Sequence, residues 1–270
     1  MLDLFDEPKL EEKEILFLSK KYFLPAIHNV YHKFYLESYS SVTKKWPILA
    51  RSEFPESMPL SKDFKLVDRV ASAGLMPPFG KTEVLKGGLF CHVYTFKKQN
   101  IITFRGSAGL LDWLRNSMAY MVPLTEEEPD VKVHAGFLQI FQDLEPLLKE
   151  YQQEGVWMTG HSLGAAIATF FAQSTDFPKA KLLTYGSPRV GNEEFIKRLK
   201  ANTQFHFRVE TENDPIPFLP LEVKPMGGLF DYKDGGDLIR LPLANATIVD
   251  KLKAHLPSVY LQAIDQALDL

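Results

Sequence analysis

The sequence has few of the features that mark several large classes of protein. Its 270 residues include one cysteine, Cys91, so no internal disulfide can form and a cysteine-ligated zinc site is excluded. No internal repeat or low-complexity segment is present, which excludes solenoid and linker architectures. A chain of this length buries roughly three quarters of its unfolded surface, so we expect it to fold without a disulfide or a metal.

A basic surplus is also missing. The chain has 31 lysines and arginines against 34 aspartates and glutamates, which gives a net charge of −3. A protein that neutralises phosphates needs a clear excess of positive charge. The composition therefore argues against a nucleic-acid partner.

Long apolar runs are absent as well, and nothing approaches the ~18 apolar residues that a membrane span requires. The first residues include Asp3, Asp6 and Glu7, whereas a signal peptide begins with basic residues. These observations predict a protein without a transmembrane segment and with a cytoplasmic location as written. Secretion is the alternative if a targeting segment has been removed.

Residues 11–38 have the spacing of a helical segment. Apolar side chains recur near one face, at Leu16, Phe23, Ile27, Val30 and Phe34. Proline disrupts a helix interior, so Pro25 is expected to divide two helices. Residues 39–65 contain three prolines and are expected to form an irregular connection.

From Leu89 onward, strand-like and helix-like segments alternate. Residues 89–96 and 101–104 flank a polar turn and predict a hairpin. Further strands are predicted at 156–159, 182–185 and 205–209, and helices at 137–153, 165–173 and 193–200. This alternation predicts an α/β fold with a mostly parallel central sheet and helices on both faces. Ligand chemistry in such a fold lies at the carboxyl ends of the strands.

One motif stands between a predicted strand and a predicted helix: Gly160-His161-Ser162-Leu163-Gly164. It matches the Gly-x-Ser-x-Gly turn that exposes a nucleophilic serine, and its context is the one that turn requires. Small residues at the two glycine positions let strand and helix approach closely. The motif predicts Ser162 as a nucleophile, and the alternative is a structural serine in a glycine-bracketed turn.

A serine nucleophile needs a histidine base, and an acid must orient that base. In folds of this class the chain order is serine, acid, histidine. Two histidines follow Ser162: His206 lies inside a predicted strand, where a satisfied structural histidine is expected, and His255 is the candidate base. Asp214 follows the strand that ends near Val209, so it can reach a histidine above the sheet and is the candidate acid.

Other aspartates are less well placed. Asp176, the one aspartate between Ser162 and His206, is in the loop after the elbow helix. Asp250 is expected to cap or solvate a helix. Three more surround a Gly-Gly turn and predict a hairpin tip, namely Asp231, Asp234 and Asp237.

Together with other segments in the same order, these motifs resemble the class 3 or fungal-type lipases of the α/β-hydrolase fold. The matching segments lie at 104–107, 112–114, 133–138, 159–165, 185–191, 213–215 and 255–256. The resemblance covers about residues 84–262. On this basis we expect a single α/β-hydrolase domain over residues 1–270, with a lipase core at 84–262 and an N-terminal helical extension, residues 1–80, packed on it.

The resemblance implies lipase, phospholipase or related carboxylesterase activity without a cofactor or metal. It implies Ser162 as nucleophile, Asp214 as acid and His255 as base. It also implies an oxyanion hole formed by the backbone N–H and hydroxyl of Ser107 and the backbone N–H of Leu163. Three neighbouring residues are assigned structural roles: Arg105 in an ion pair, His134 in a turn and His161 in core packing.

Residues 108–122 directly follow Ser107 and are predicted to form a mobile lid over Ser162. Their apolar side chains fall on one helical face, and the ones that would contact substrate are Leu110, Leu111, Trp113 and Leu114. The alternative is a fixed helix packed in the core.

The resulting hypothesis is a serine hydrolase that cleaves carboxylic esters of lipids at an oil–water interface. A small-ester or feruloyl-type esterase would use the same residues. The alternative from another class is a lipase-like signalling or binding protein without catalysis. Oligomeric state, acyl chain length and head group are not encoded in recognisable form.

Overall fold

The N-terminal region of the chain is helical, as predicted. In the computed structural model, helix α1 (Glu12–Leu18) continues through a π-helical segment (Ser19–Phe23) into helix α2 (Leu24–Val42). The model describes residues 9–42, 58–71, 89–106, 120–220, 231–242 and 253–269, with backbone alone at 34–42, 71 and 89.

Pro25 does not separate two helices, which corrects the sequence prediction. Instead, Leu24 donates its backbone N–H to the carbonyl of Ser19, five residues back, and Pro25 is the second residue of α2. A proline ring would meet the carbonyl four residues before it in an ordinary α-helical turn. The wider π turn is the local adjustment that lets the helical path continue.

The fold is built around a central sheet. Among the described residues it has seven strands, in the spatial order β1, β2, β3, β6, β7, β8, β9. Their bounds are β1 Lys65–Ala71, β2 Leu89–Phe96, β3 Gln99–Phe104, β6 Trp157–His161, β7 Ala180–Tyr185, β8 Thr203–Thr211 and β9 Asp237–Leu241. Strands β1 to β3 pair antiparallel, and β3 through β9 pair parallel. A small second sheet pairs β4 (Met121–Pro123) with β5 (Lys132–His134).

Helices lie on both faces of the sheet, as predicted. One face carries α3 (Ala135–Leu148), α4 (Leu163–Gln173) and α5 (Glu193–Asn202). The other face carries α1, α2 and the C-terminal helix α6 (Pro257–Asp269). Successive strand residues supply the two cores alternately, so Met158 packs with the first group and Trp157 with the second. The α/β-hydrolase architecture is therefore confirmed.

Four strands were not predicted from the sequence: β1 and β9 of the central sheet, and β4 and β5 of the small sheet. Strand β1 lies in the N-terminal extension, residues 1–80, for which helices and an irregular connection were expected, and it pairs with β2. Strand β9 pairs parallel with β8, so the Gly-Gly turn before it is not a hairpin tip. Both are edge strands with exposed apolar residues, Val67 in β1 and Leu238 in β9, which weakens the alternation that identifies a strand.

Element ends also differ from the predicted ones. The predicted helix 137–153 ends as α3 at Leu148 and is followed by a 3₁₀ turn over Lys149–Tyr151. Strand β2 has the predicted bounds, and β6 lies at 157–161 instead of 156–159. The other predicted elements extend by two residues at one or both ends, namely β3, β7, β8, α4 and α5. None of the helices described here has the length and apolar content needed to cross a bilayer. Cys91 is fully buried in β2, as expected for a small apolar residue.

The N-terminal helices share an apolar core with the sheet. Phe23 has no exposed surface, and its ring centroid lies 4.9 Å from that of Trp157 on β6. Phe17, on the preceding helix, is 38% exposed. Phe23 is therefore buried and Phe17, six positions earlier, is partly exposed, so the two residues allow a matched comparison.

We predict that Phe23→Ala lowers the free energy of unfolding by about 3–5 kcal/mol because it leaves a cavity against Trp157. Phe17→Ala is the control and should cost under about 1 kcal/mol. Urea denaturation followed by tryptophan fluorescence measures both. Equal midpoints for the two variants would show that the helical extension does not unfold together with the sheet.

Candidate active site

Ser162 lies in the sharp turn between β6 and α4. Its backbone φ of 62° is in the left-handed region, which a non-glycine residue rarely adopts. The backbone N–H of Ser162 donates to the carbonyl of Tyr185 at the end of β7, at 3.0 Å. The backbones of Gly160 and Gly164 touch across the turn, so a Cβ at Gly160 has no room. The strand–turn–helix context expected from the motif is present.

His255 lies in a turn immediately before α6, and its ring faces Ser162. The imidazole Nε2 is 2.7 Å from Ser162 Oγ. The ring is 15% exposed, whereas Ser162 is almost fully buried. The structure thus brings the predicted nucleophile and base within hydrogen-bond distance across 93 residues of sequence.

Asp214 follows β8 and accepts three hydrogen bonds. Its Oδ2 lies 2.8 Å from His255 Nδ1 and accepts from the Tyr260 hydroxyl at 2.6 Å, and its Oδ1 accepts from the Ile216 N–H at 2.9 Å. Burial acts to raise the pKa of this carboxyl, but His255, Tyr260 and the Ile216 N–H outweigh burial and lower the pKa below its ordinary value. Asp214 is therefore an ionised, fully buried carboxylate at neutral pH.

The ionised Asp214 fixes the proton positions. A carboxylate oxygen only accepts hydrogen bonds, so the neutral His255 ring carries its proton on Nδ1 and donates it to Asp214. Nε2 is then free to accept the hydroxyl proton of Ser162. This arrangement prepares Ser162 for deprotonation and gives the resulting imidazolium a buried counter-charge.

The other residues considered as base or acid are not part of the hydrogen-bonded series of Ser162, His255 and Asp214. His206 is in β8, and burial lowers its pKa to about 3. Neither of its ring nitrogens has a hydrogen-bond partner among the described residues, so the expectation of a satisfied histidine is wrong. Asp176 lies 3.9 Å from Lys149 in an ion pair, and Asp250 is outside the described residues.

The aspartates around the Gly-Gly turn have structural partners. Asp234 pairs with Arg189 at 3.1 Å and with Arg208 at 3.0 Å, and Asp231 pairs with Lys233. Strand β9 is parallel to β8, so Asp231 and Asp234 form their ion pairs in the segment that leads into β9 and not at a hairpin tip.

The predicted oxyanion hole is described in part. Leu163 is the first residue of α4, where backbone N–H groups have no intrahelical acceptor. Ser107 lies outside the described residues, although the residue before it, Gly106, lies against the Cβ of Ser162. The predicted lid residues Leu110, Leu111, Trp113 and Leu114 also lie outside. The predicted lid, residues 108–122, is wrong at its C-terminal end, because Met121 and Val122 belong to β4 and pair with β5.

Two further sequence assignments concern His134 and Arg105, and the ion pair of Arg105 stays a prediction. His134 caps α3, as its Nδ1 accepts from the N–H groups of Gly136 and Phe137 at 3.1 and 3.3 Å, which confirms its role in a turn. Arg105 donates to the Gly106 carbonyl and lies over the Phe90 ring. In the part of the chain that the structure describes, no group of three or more histidine, cysteine or acidic side chains could hold a metal ion.

The sequence analysis missed three supporting residues. Tyr260 on α6 bonds to Asp214, Tyr31 on α2 bonds to His161, and His161 bonds to the backbone of His255. His161 is therefore more than a core-packing residue, which corrects its assignment. Its place beside Ser162 was the available signal, whereas no local pattern distinguishes the two tyrosines from ordinary core aromatics.

Comparisons with known proteins show similarity in sequence and in fold. Residues 101–224 match the sequence family described as "Lipase (class 3)". Over 148 residues the chain is 32% identical to secreted mono- and diacylglycerol lipase 1 of Fusarium solani, which covers 50% of this chain and 44% of that protein. It is also 32% identical over 152 residues to the chloroplastic phospholipase A(1) DAD1 of Arabidopsis thaliana, covering 46% and 34%.

The fold has a counterpart in lipase II from Rhizopus niveus. That structure aligns with a TM-score of 0.56 and 18% sequence identity and covers 88% of this chain and 83% of its own. The chain spans less than half the length of the two curated relatives. The structural likeness supports the fold, and the sequence matches concentrate on its central part.

Gly186 directly follows β7 and lies against Asp214 and His255. Its φ is +55°, and a Cβ there would lie 2.8 Å from Asp214 Oδ2 and 3.0 Å from His255 Cε1. Gly155 has a similar φ of +69°, but a Cβ there would have no neighbour nearer than 3.7 Å.

We predict that Gly155→Ala loses about 1–2 kcal/mol of stability, the cost of a left-handed alanine. Gly186→Ala should lose clearly more, and Ser162 should react with a fluorophosphonate at least ~10²-fold more slowly because the Cβ displaces His255 or Asp214. Urea denaturation and the labelling rate measure these effects. Equal stability loss and unchanged labelling in both variants would contradict the close approach at Gly186.

Proposed function

We propose that the protein is a serine hydrolase that cleaves carboxylic esters of lipids through an acyl-enzyme, and that it is a member of the class 3 lipase family, which residues 101–224 match. The observation that carries the proposal is the continuous hydrogen-bonded series from Ser162 Oγ through His255 to Asp214, at 2.7 and 2.8 Å. A scaffold or binding protein has no requirement for this series.

In the proposed first step, Ser162 Oγ attacks the ester carbonyl while His255 Nε2 takes the hydroxyl proton. Asp214 keeps the Nδ1–H tautomer in place and stabilises the imidazolium. The negative charge on the former carbonyl oxygen is held by the backbone N–H of Leu163 and by Ser107. Each such donor is worth about 10²–10³ in rate.

The tetrahedral intermediate then collapses. The imidazolium gives its proton to the leaving alcohol oxygen, the ester C–O bond breaks, and the acyl group stays on Ser162. A water molecule repeats the sequence, with His255 as base, and releases the fatty acid. No step requires a cofactor, because every proton transfer passes through His255.

Access to the nucleophile is part of the proposal. Ser162 and Asp214 are buried, so an ester must enter through an opening in the protein surface. We assign this entrance to the predicted lid, in which Leu110, Leu111, Trp113 and Leu114 would cover the acyl chain. An apolar cover of this kind favours displacement at an oil–water interface, where its side chains remain out of water.

Lipid esters are favoured over small esters by the nature of the relatives. The Fusarium solani protein is named a mono- and diacylglycerol lipase and the Arabidopsis thaliana protein a phospholipase A(1). The Fusarium solani relative is named as secreted and the Arabidopsis thaliana relative as chloroplastic.

We expect hydrolysis of a nitrophenyl ester series to increase with acyl length and to rise further when the substrate exceeds its solubility limit. Ser162→Ala is the matched control and should lose at least ~10³-fold in rate while remaining folded. Initial rates across the limit, with a triacylglycerol and a phospholipid emulsion as further substrates, provide the measurement. Smooth saturation restricted to short esters would indicate a small-ester esterase, and absence of turnover and fluorophosphonate labelling would indicate a non-catalytic protein.

The acid assignment has its own test. Asp214→Asn should reduce kcat about 10⁴-fold, by analogy with the corresponding change in a serine protease, because asparagine stabilises the wrong tautomer of His255. Asp176→Asn, a change at a surface ion pair, should leave kcat near the wild-type value. If Asp214→Asn retains normal turnover, a different acid orients His255.

A further inference from the structure

His161 directly precedes the nucleophile Ser162 in the chain, and its side chain contacts the base His255. Its Nε2 is 2.6 Å from the backbone carbonyl oxygen of His255, and its Nδ1 is 3.0 Å from the hydroxyl of Tyr31. The rings of His161 and His255 are also in contact, with centroids 4.5 Å apart. Both His161 and Tyr31 are buried.

The chemistry of the partners fixes the direction of both hydrogen bonds. A carbonyl oxygen only accepts, so His161 Nε2 carries a proton and donates it to His255. In a neutral ring Nδ1 is then an acceptor, and the Tyr31 hydroxyl donates to it. Burial, followed by the neighbouring His255, lowers the pKa of His161 well below its ordinary value, so the ring is neutral at working pH.

The turn that carries His255 is held by side chains. Two successive carbonyls in it accept hydrogen bonds from outside the turn: Ala254 from the Thr211 hydroxyl at 3.0 Å, and His255 from His161. The backbone of the base lies outside the sheet, and these two hydrogen bonds join it to the carboxyl ends of two strands, because His161 ends β6 and Thr211 ends β8. We therefore expect the distance between His255 and Ser162 to depend on these side-chain donors.

Tyr31 connects this arrangement to the N-terminal helices. It belongs to α2, and its hydroxyl lies against Gly106, where a Cβ would overlap it. Gly106 precedes the proposed oxyanion residue Ser107 and lies against Ser162. One hydroxyl thus contacts both the histidine that holds the base and the segment that leads to the oxyanion hole.

We propose that Tyr31 and His161 are positioning residues that hold the backbone of His255 in place for catalysis, so that the N-terminal helices form part of the active-site support. This inference rests on the proposed hydrolase function. The hydrogen bonds run from Tyr31 O–H to His161 Nδ1 and from His161 Nε2–H to the His255 carbonyl. Neither residue contacts the reacting atoms.

Loss of this support should lower kcat rather than raise KM. A displacement of a catalytic group by about 1 Å can cost about 10²-fold in rate, because the near-attack geometry is lost. Because His161 and Tyr31 are both buried, we expect substrate binding to change little. The effect should depend on the donor at the Nε2 position, not on ring volume.

The test compares His161→Phe, which keeps a ring without a donor, with His161→Gln, whose side-chain amide can place an N–H near the Nε2 position. We expect His161→Phe to lower kcat for a soluble nitrophenyl ester by about 10- to 100-fold with KM changed less than about 3-fold. His161→Gln should recover most of that loss. Tyr31→Phe should give a smaller decrease in kcat, about 3- to 10-fold, by releasing His161.

Tyr94→Phe is the matched control. The Tyr94 hydroxyl lies 2.9 Å from His92 Nδ1, so this change removes a buried tyrosine–histidine bond of the same kind on strand β2. Its kcat should equal that of the wild type. Thermal unfolding of every variant separates lost stability from lost positioning, and if His161→Phe does not fold, Tyr31→Phe and His161→Gln carry the comparison.

A second readout is independent of turnover. The far-downfield proton resonance of the His255 Nδ1–H bonded to Asp214 should be sharp in the wild type and in His161→Gln, and broadened or absent in His161→Phe. The proposal is overturned if His161→Phe retains wild-type kcat and this resonance, or if His161→Gln is as impaired as His161→Phe. A wild-type protein that shows the resonance but is not labelled by a fluorophosphonate would refute the hydrolase function and leave the positioning contact intact.

Discussion

The left-handed backbone of Ser162 is the constraint on which the rest of the site depends. Such a conformation costs about 1–3 kcal/mol and persists only where its surroundings enforce it. Here the Ser162 N–H donates to the Tyr185 carbonyl, and every residue of the following helix α4 is buried. The strand and helix cannot separate to relieve the turn without exposing that core. The side chain of Ser162 is thereby held above the carboxyl ends of the strands.

The elements on the two faces of the sheet contribute different groups to the site around that turn. Helix α4, on one face, begins directly after the serine and supplies the proposed oxyanion N–H of Leu163. Elements of the other face support the base and the acid, since α6 follows His255 and provides Tyr260 to Asp214. In the proposed mechanism, the groups that transfer protons lie in turns next to separate strands and helices that meet above the sheet, which favours a fixed geometry.

The N-terminal helices contact both the sheet and the proposed active site. They pack against the sheet through Phe23 and Trp157, and they reach the site through Tyr31. A segment that carries none of the recognisable motifs thus contributes both apolar burial and a polar contact to His161. If the proposed positioning role holds, sequence motifs mark the groups that react, while the residues that hold them are spread over the chain.

The sequence by itself determined the parts that local chemistry fixes. The Gly-x-Ser-x-Gly turn predicted the serine between a strand and a helix. Apolar runs predicted β6 and β7, which are buried at every position, because strands buried on both faces are rich in apolar residues. Tertiary structure alone decided that edge strands β1 and β9 join the sheet, since their partly exposed residues lack a clear pattern. It also decided that His161, Tyr31 and Tyr260 support the site. Their hydrogen bonds span 94, 130 and 46 residues of sequence, and such contacts form only when the fold brings distant segments together.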